Sequence, residues 1–289
     1  MGKISDLAYN IGISLNQEDI NAHRQTITPT AQTLQGLSTE DRLAYHANNQ
    51  ALLSENKEQL EGEKESGDGF WNKDYKAGKG HPQLKYDAGA GEWNSETASL
   101  QVYRDYGVAM TVAFGSPIYP DATAALRHYL SNSGENYQID LESLMKDSGI
   151  APIVQKEINY AQSFIEQNLT SKGTIDFHST GARGAYAESK NWFYATGGVL
   201  IYGGGSATYD GKGNYTMDFN LMSYDRYNWD GGKSVTILGQ KITDDQLGAM
   251  HRAGIAKEYN MYGAVPLRIT WSKDDPKPKV VINTSQTSR

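Results

Sequence analysis

The stretch 214–224 reads NYTMDFNLMSY, and its side chains alternate in kind. Tyr215, Met217, Phe219 and Leu221 are apolar; Thr216, Asp218, Asn220 and Met222 stand between and after them. Successive side chains leave a strand on opposite sides, so a period of two predicts a strand with one face buried and the other wetter. Asp210-Gly211, between SATY and GNYTMDF, is the tight-turn signal of a hairpin. The runs WFYATGGVLIYGG, SVTIL and VPLRITW are also rich in β-branched and aromatic residues and are punctuated by Gly. They place a sheet over residues 190–272, with one more edge strand at Val280–Ile282.

Before residue 170 the spacing is helical. DATAALRHYL puts Ala122, Ala125, Leu126 and Tyr129 on one face, and Gly134 follows its end. A second helical run covers 139–147, and IAPIVQKEINYAQSFIEQNL aligns Ile153, Ile158, Ala161 and Ile165. Late in the chain Thr243 caps DDQLGAMHRAGIAKEY. Val108–Phe114 suits either a buried strand or the start of a helix. The fold class is therefore α+β, with short helices packed on a twisted antiparallel sheet.

Three regions follow. Residues 1–66 read as a helical N-terminal or delivery region, with Ser38 as N-cap and a thin stripe of Leu43, Ala47, Ala51 and Leu52. Residues 67–107 are a Gly- and aromatic-rich connecting segment, whose Phe70, Trp71, Tyr75 and Trp93 either cover a core or bind something. Residues 108–289 form the activity domain.

Composition narrows the function. The chain carries 34 acidic and 27 basic residues, a net charge of −7, and no Lys/Arg cluster, which argues against a nucleic-acid partner. It has no cysteine, so disulfides, thiolate zinc sites and Cys nucleophiles are excluded. The first residues, MGKISDLAYNIGISLNQED, hold no signal-peptide core, and the apolar run at Val108–Phe114 is far short of the ~20 residues of a membrane span. The expectation is a protein soluble when made and carried out of the cell by a specialised route.

Three strings, in this order, resemble the activity domain of colicin M bacteriocins: AALRHYLSNSGENYQIDLESL, GGVLIYGGGSATYDGKGNYTMDFNLMSYDRYNWD and DDQLGAMHRAGIAKEYNMYGAVPLRITW. Similar endings occur in C-terminal toxin modules of polymorphic secretion systems. The resemblance implies a secreted or delivered antibacterial toxin acting in the periplasm of the target cell on the lipid-linked peptidoglycan precursor (lipid II). It implies a cognate immunity protein and a delivery machinery as partners. That family's catalytic loop reads Asp, any residue, Tyr, Asp, aromatic, with His-Arg soon after. Here it is Asp225-Arg226-Tyr227-Asn228-Trp229, so Asn228 replaces the second Asp and Gly231-Gly232-Lys233 stands where His-Arg is expected. A His-Arg pair occurs later, at His251-Arg252, and Asp230 can stand in for the missing carboxylate.

Unaided, Asp225–Gly232 reads either as a polar connection between strands or as a site for phosphodiester hydrolysis, which needs a group to activate water and cations for the developing charge. Asp225 and Asp230 flank a turn and suit Mg2+, which binds through one or two carboxylates and keeps several waters. His251 is a candidate general base and Arg252 a candidate phosphate ligand. Neighbouring helix residues point about 100° apart, so Arg226 or Lys233 competes for that part. His128 reads as an ordinary helix residue, while His178 and Arg183 border a Gly/Ser/Thr loop that suits phosphate weakly. Two other classes stay open: a depolarising toxin without hydrolase activity, and a cell-wall glycan-binding module presenting Trp and Tyr.

Overall fold

A computed structural model describes residues 38–51 in part, 74–82, 84, 89–115, 117–237 and 239–283. Leu52, Phe70 and Trp71, with most of the first 73 residues, lie outside the described residues.

The elements in chain order are β1 (Tyr75–Ala77), α1 (Leu100–Gly115), α2 (Pro120–Leu130), β2 (Tyr137–Gln138), α3 (Leu141–Leu144), α4 (Ala151–Asn168), β3 (Gly173–Ser179), β4 (Arg183–Tyr186), α5 (Lys190–Thr196), β5 (Gly198–Tyr209), β6 (Asn214–Tyr227), β7 (Ser234–Ile237), β8 (Gln240–Thr243), α6 (Asp244–Arg252), β9 (Tyr259–Ser272) and β10 (Lys279–Ile282). The main sheet runs β1-β3-β5-β6-β9-β10, with β4 on β5 and β2 on β9. Its ladders are antiparallel apart from the short parallel pairing of β2 with β9. β7 and β8 form a separate hairpin. The fold is α+β, as the change of period requires.

The alternation in β6 sorts the two faces. Tyr215, Met217, Phe219, Leu221 and Tyr227 join Val265, Leu267, Ile269 and Trp271 of β9 under the helices, in one large core. The opposite face carries a second, smaller cluster of Leu200, Tyr202, Met222, Tyr224 and Ala264, closed by Leu84. Met222 thus falls on the face opposite Leu221 but is itself buried there. Further along that face the residues turn polar, where Arg268 holds Asp218 through Nε and Nη2 at 2.8 and 2.9 Å.

Several local readings need correction. WFYAT is helix, not strand: Lys190–Thr196 makes α5, and the strand starts only at Gly198 after Gly197 adopts a positive φ of 64°. Trp192, fully buried, anchors that helix to the core. Val108–Phe114 lies inside α1 and is helical. The sheet begins well before residue 190, with β1, β2, β3 and β4. The late helix stops at Arg252, because Gly254 at φ 71° lets the N–H groups of Gly254 and Ile255 return to the carbonyls of His251 and Met250. Its start is as expected, with Thr243 and Gln246 capping each other.

The earlier segments are tied in. Ser38 caps the helical residues that follow it, its Oγ accepting the Asp41 N–H at 3.1 Å. Tyr45 in that stretch is buried and donates to Glu142 at 3.2 Å. Tyr75 is core, its ring against Phe164 and Phe177 and its hydroxyl on Glu157. Trp93 is partly exposed, donating to Asn132 with Lys257 over its ring.

Gly203 in β5 shows how closely the layers meet: a Cβ there lies 2.4 Å from the Phe219 ring and 2.8 Å from the Asn220 carbonyl. Gly203→Ala should therefore destabilise the fold by about 1–3 kcal/mol through overpacking. Urea unfolding checks it; an unchanged midpoint would show that the Phe219 ring can yield freely.

Candidate functional site

The last residues of β6 and the loop after it carry three of the predicted groups, Asp225, Tyr227 and Asp230, while His251 and Arg252 lie on α6. Asp225 pairs with Met261 and Tyr227 with Tyr259 in the β6–β9 register, and both project to the helix-covered side. Tyr227 is buried; its ring stacks on Tyr259 at 5.0 Å and meets Trp229 and Tyr129 edgewise or tilted. Asp225 keeps part of its surface. Burial, then the Asp225 charge, pushes the Tyr227 hydroxyl far above the ordinary tyrosine range, so it stays protonated. The nearby Tyr259 hydroxyl is raised in the same way and donates to the Ala125 carbonyl at 2.7 Å. His128 packs between Tyr137 and Tyr259, with Nε2 on the Glu135 carbonyl at 2.7 Å, which suits an ordinary helix residue.

Arg226, next in the strand, points to the other side. There it meets Asn260 at 3.2 Å and Glu258 at 3.5 Å. Sequence reasoning did not single out Glu258, yet its carboxylate organises this end of the molecule. It is wholly covered, and one oxygen accepts the backbone N–H groups of Ala90 and Trp229, each at 2.9 Å. Its other oxygen stands 4.0 Å from His251 Nε2. Gly89, at φ 62°, makes room for it: a Cβ there would lie 2.2 Å from the carboxylate. In the sequence it is one acid near the end of the predicted late helix, which carries no burial information.

His251 and Arg252 belong to this second group. His251 Nδ1 accepts the Glu258 N–H at 3.1 Å, so Nε2 carries the proton and donates to the Gly91 carbonyl at 3.1 Å. Arg252 Nε donates to Glu96 at 2.9 Å and Nη1 to the Ala90 carbonyl at 3.3 Å. Residues 94 and 96 return N–H bonds to the carbonyls of His251 and Arg252. The pair thereby straps the 89–96 segment over the end of α6. Asp230 is exposed, 3.6 Å from Lys233. The structure thus groups Asp225 with Tyr227, and His251 with Arg252, Arg226 and Glu258, on opposite sides of one strand end.

Among the described residues no group of three or more His, Asp or Glu gathers as a metal site. Asp225 and Asp230 supply the hard oxygen donors that Mg2+ prefers, with Lys233 as a competitor at Asp230. His178 and Arg183 do not form a phosphate loop. Arg183 is bound to buried Glu157 and lies over the Tyr160 ring, and His178 Nδ1 donates to the Gly78 carbonyl at 2.8 Å.

No family model matches the chain. No curated protein matches it either. Among solved structures it is similar to PaeM, a colicin M-like bacteriocin produced by Pseudomonas aeruginosa, over 55% of this chain and 53% of that one, at 17% identity and a TM-score of 0.34. It is also similar to truncated syringacin M, a bacteriocin from Pseudomonas syringae pv. tomato, over 60% of this chain and 84% of that one, at 14% identity and a TM-score of 0.31. The chain thus spans about half the length of PaeM. Among the described residues no helix is long and apolar enough to cross a membrane.

Burial holds the His251 imidazole below the ordinary histidine range, against the pull of Glu258. The unfolded chain takes up this proton below about pH 6.5, while the folded chain resists it, so the His251 contribution to stability is full above that pH and shrinks as acid is added. His251→Gln should lower Tm near neutrality, and the gap to the unsubstituted protein should narrow between about pH 7.5 and about pH 5.5. Thermal melts across that range check this; a constant gap would mean that His251 does not titrate differently on folding.

Proposed function

We propose that the chain is an antibacterial toxin that acts in the envelope of its target cell by hydrolysing the lipid-linked peptidoglycan precursor, with Asp225 as the central acid. Two things support this reading. The ordered strings of the sequence resemble the colicin M activity domain. The observation that carries it is the position of Asp225, a part-exposed carboxylate at the end of the central strand, between buried Tyr227 and a loop tied down by Glu258.

In this reading Asp225 accepts a proton from the attacking water as its oxygen adds to phosphorus. The phosphorus–oxygen bond to the leaving group then breaks, and the leaving oxygen is protonated from solvent. Tyr227, kept neutral by burial, packs the back of the site and offers at most a hydrogen bond. Arg226 and Lys233 are the cations of the loop; Arg226 is fixed by Glu258 and Asn260, and Lys233 is exposed. Asp225 and Asp230 would hold Mg2+, whose charge would neutralise phosphate oxygens. His251 and Arg252 act from a distance, by holding the 89–96 segment and the Glu258 network in place. The protein is delivered to the periplasm by a specialised route, and the producing cell needs an immunity protein.

Expression directed to the periplasm of a Gram-negative cell should be toxic, while cytoplasmic expression should be tolerated. Asp225→Asn keeps the side-chain shape and should lower toxicity and lipid II breakdown by about a hundredfold or more. Circular dichroism should show the fold unchanged. Full toxicity from a folded Asp225→Asn protein would remove hydrolysis at this loop and turn attention to membrane depolarisation, read with a potential-sensitive dye.

A further inference from the structure

The loop after β6 holds two buried hydrogen-bond donors with nothing to donate to. Asn228 Nδ2 and Trp229 Nε1 are both fully covered, and neither has a hydrogen-bond partner among the described residues. Leaving a buried donor unmade costs about 1–3 kcal/mol, and buried polar groups in folded proteins are paired nine times in ten. Two such nitrogens on consecutive residues call for a shared explanation. Trp192 Nε1 is also unpaired, but it lies inside the main core beneath α5, far from any approach by a ligand. Asn228 and Trp229, by contrast, each keep part of their surface although the two nitrogens are covered.

We propose that Asn228 Nδ2 and Trp229 Nε1 together bind a phosphoryl oxygen of the ligand. The inference deepens the hydrolase reading and rests on it. An indole nitrogen and an amide NH2 donate only, so the ligand must present an acceptor, and the anionic oxygens of a phosphoryl group accept more strongly than a neutral hydroxyl. The donors are held in place before any ligand arrives. The Trp229 backbone N–H, not the indole, is fixed on Glu258 at 2.9 Å, and the ring rests on Tyr227 at 5.0 Å and Tyr129 at 5.8 Å. Gly248 lets α6 approach the loop, since a Cβ there would lie 3.2 Å from the Trp229 carbonyl. A rigid donor aimed at developing charge stabilises it without reorganisation. The resemblance adds a reason for Asn228. Where colicin M-like loops carry a second carboxylate, this chain carries an amide, so an acceptor is exchanged for a donor at that position. The site then favours anionic oxygen where a carboxylate would repel it.

The test uses the full chain labelled with 15N. Its five tryptophans give five indole signals, and Trp229→Phe, which keeps most of the ring and deletes the N–H, identifies one of them. Inorganic pyrophosphate should shift that signal saturably. Asn228→Leu should weaken the apparent affinity about tenfold, the worth of one hydrogen bond to a charged oxygen. Asn228→Ser serves in its place should the leucine variant fail to fold. Without pyrophosphate, Trp229→Phe and Asn228→Leu should match or exceed the unsubstituted protein in Tm, because an orphan donor has been removed. A Trp229 signal indifferent to millimolar pyrophosphate, or an affinity unchanged by Asn228→Leu, would overturn the proposal. Failure of the two readings can be told apart. Lipid II breakdown at full rate by Trp229→Phe sinks the donor pair and leaves the hydrolase standing. A shifted Trp229 signal in a protein whose Asp225→Asn variant stays toxic sinks the hydrolase and leaves a phosphate site.

Discussion

The pairing of β6 with β9 is the constraint on which the rest depends. The two strands run antiparallel from Asn214 opposite Ser272 to Tyr227 opposite Tyr259 without a break. β5 builds outward from β6, while β10 and β2 build from β9. At the far end of the ladder the stacked Tyr227 and Tyr259 rings carry the order into the helices. The Tyr259 hydroxyl bonds to α2, and Tyr129 of α2 bonds to the Leu247 carbonyl of α6. A slip of one residue would exchange the sides of Asp225 and Arg226 and separate each from its neighbours. Register in this ladder and the make-up of the candidate site are one property.

Two buried glutamates make contrasting use of low polarity. Glu157 faces Tyr75 and Arg183 from α4, and burial raises its pKa despite both partners. It joins the first strand of the sheet to a helix. Glu258 instead receives two backbone N–H groups from segments far apart in sequence, Ala90 and Trp229. Its role is to set main-chain positions, and the geometry of the 228–233 loop follows from it. Removing either acid would leave buried donors unmatched, which costs more than the bond itself is worth.

Much of the fold was legible because it rests on period. The alternation of Tyr215 to Leu221, the Asp210-Gly211 turn and the Thr243 cap each state a local geometry that tertiary packing then adopts. WFYAT failed as a strand because β-rich composition in five residues cannot outweigh burial of Trp192 against the helices. Asp225, Tyr227 and Asp230 were legible as one stretch of chain, since sequence neighbours share a place. The company kept by His251 was not: its bonds go to Gly91 and Glu258, and nothing in local spacing encodes a strap from residues 89–96. Glu258 was invisible for the same reason, because its partners come from separate segments of the chain.

That strap bears on where an independently folding piece can begin. A fragment cut at residue 108, where the sequence places the start of the activity domain, would lack Tyr75 from the core, Ala90 and Gly91 from the Glu258–His251 network, and the first half of α1. It would keep the whole β6–β9 ladder and every loop carboxylate, yet take the Ala90 N–H from buried Glu258 and the Gly91 carbonyl from buried His251. A boundary drawn there would cut through a packed and hydrogen-bonded unit. A piece that respects the packing keeps β1 and also Tyr45, whose hydroxyl donates to buried Glu142.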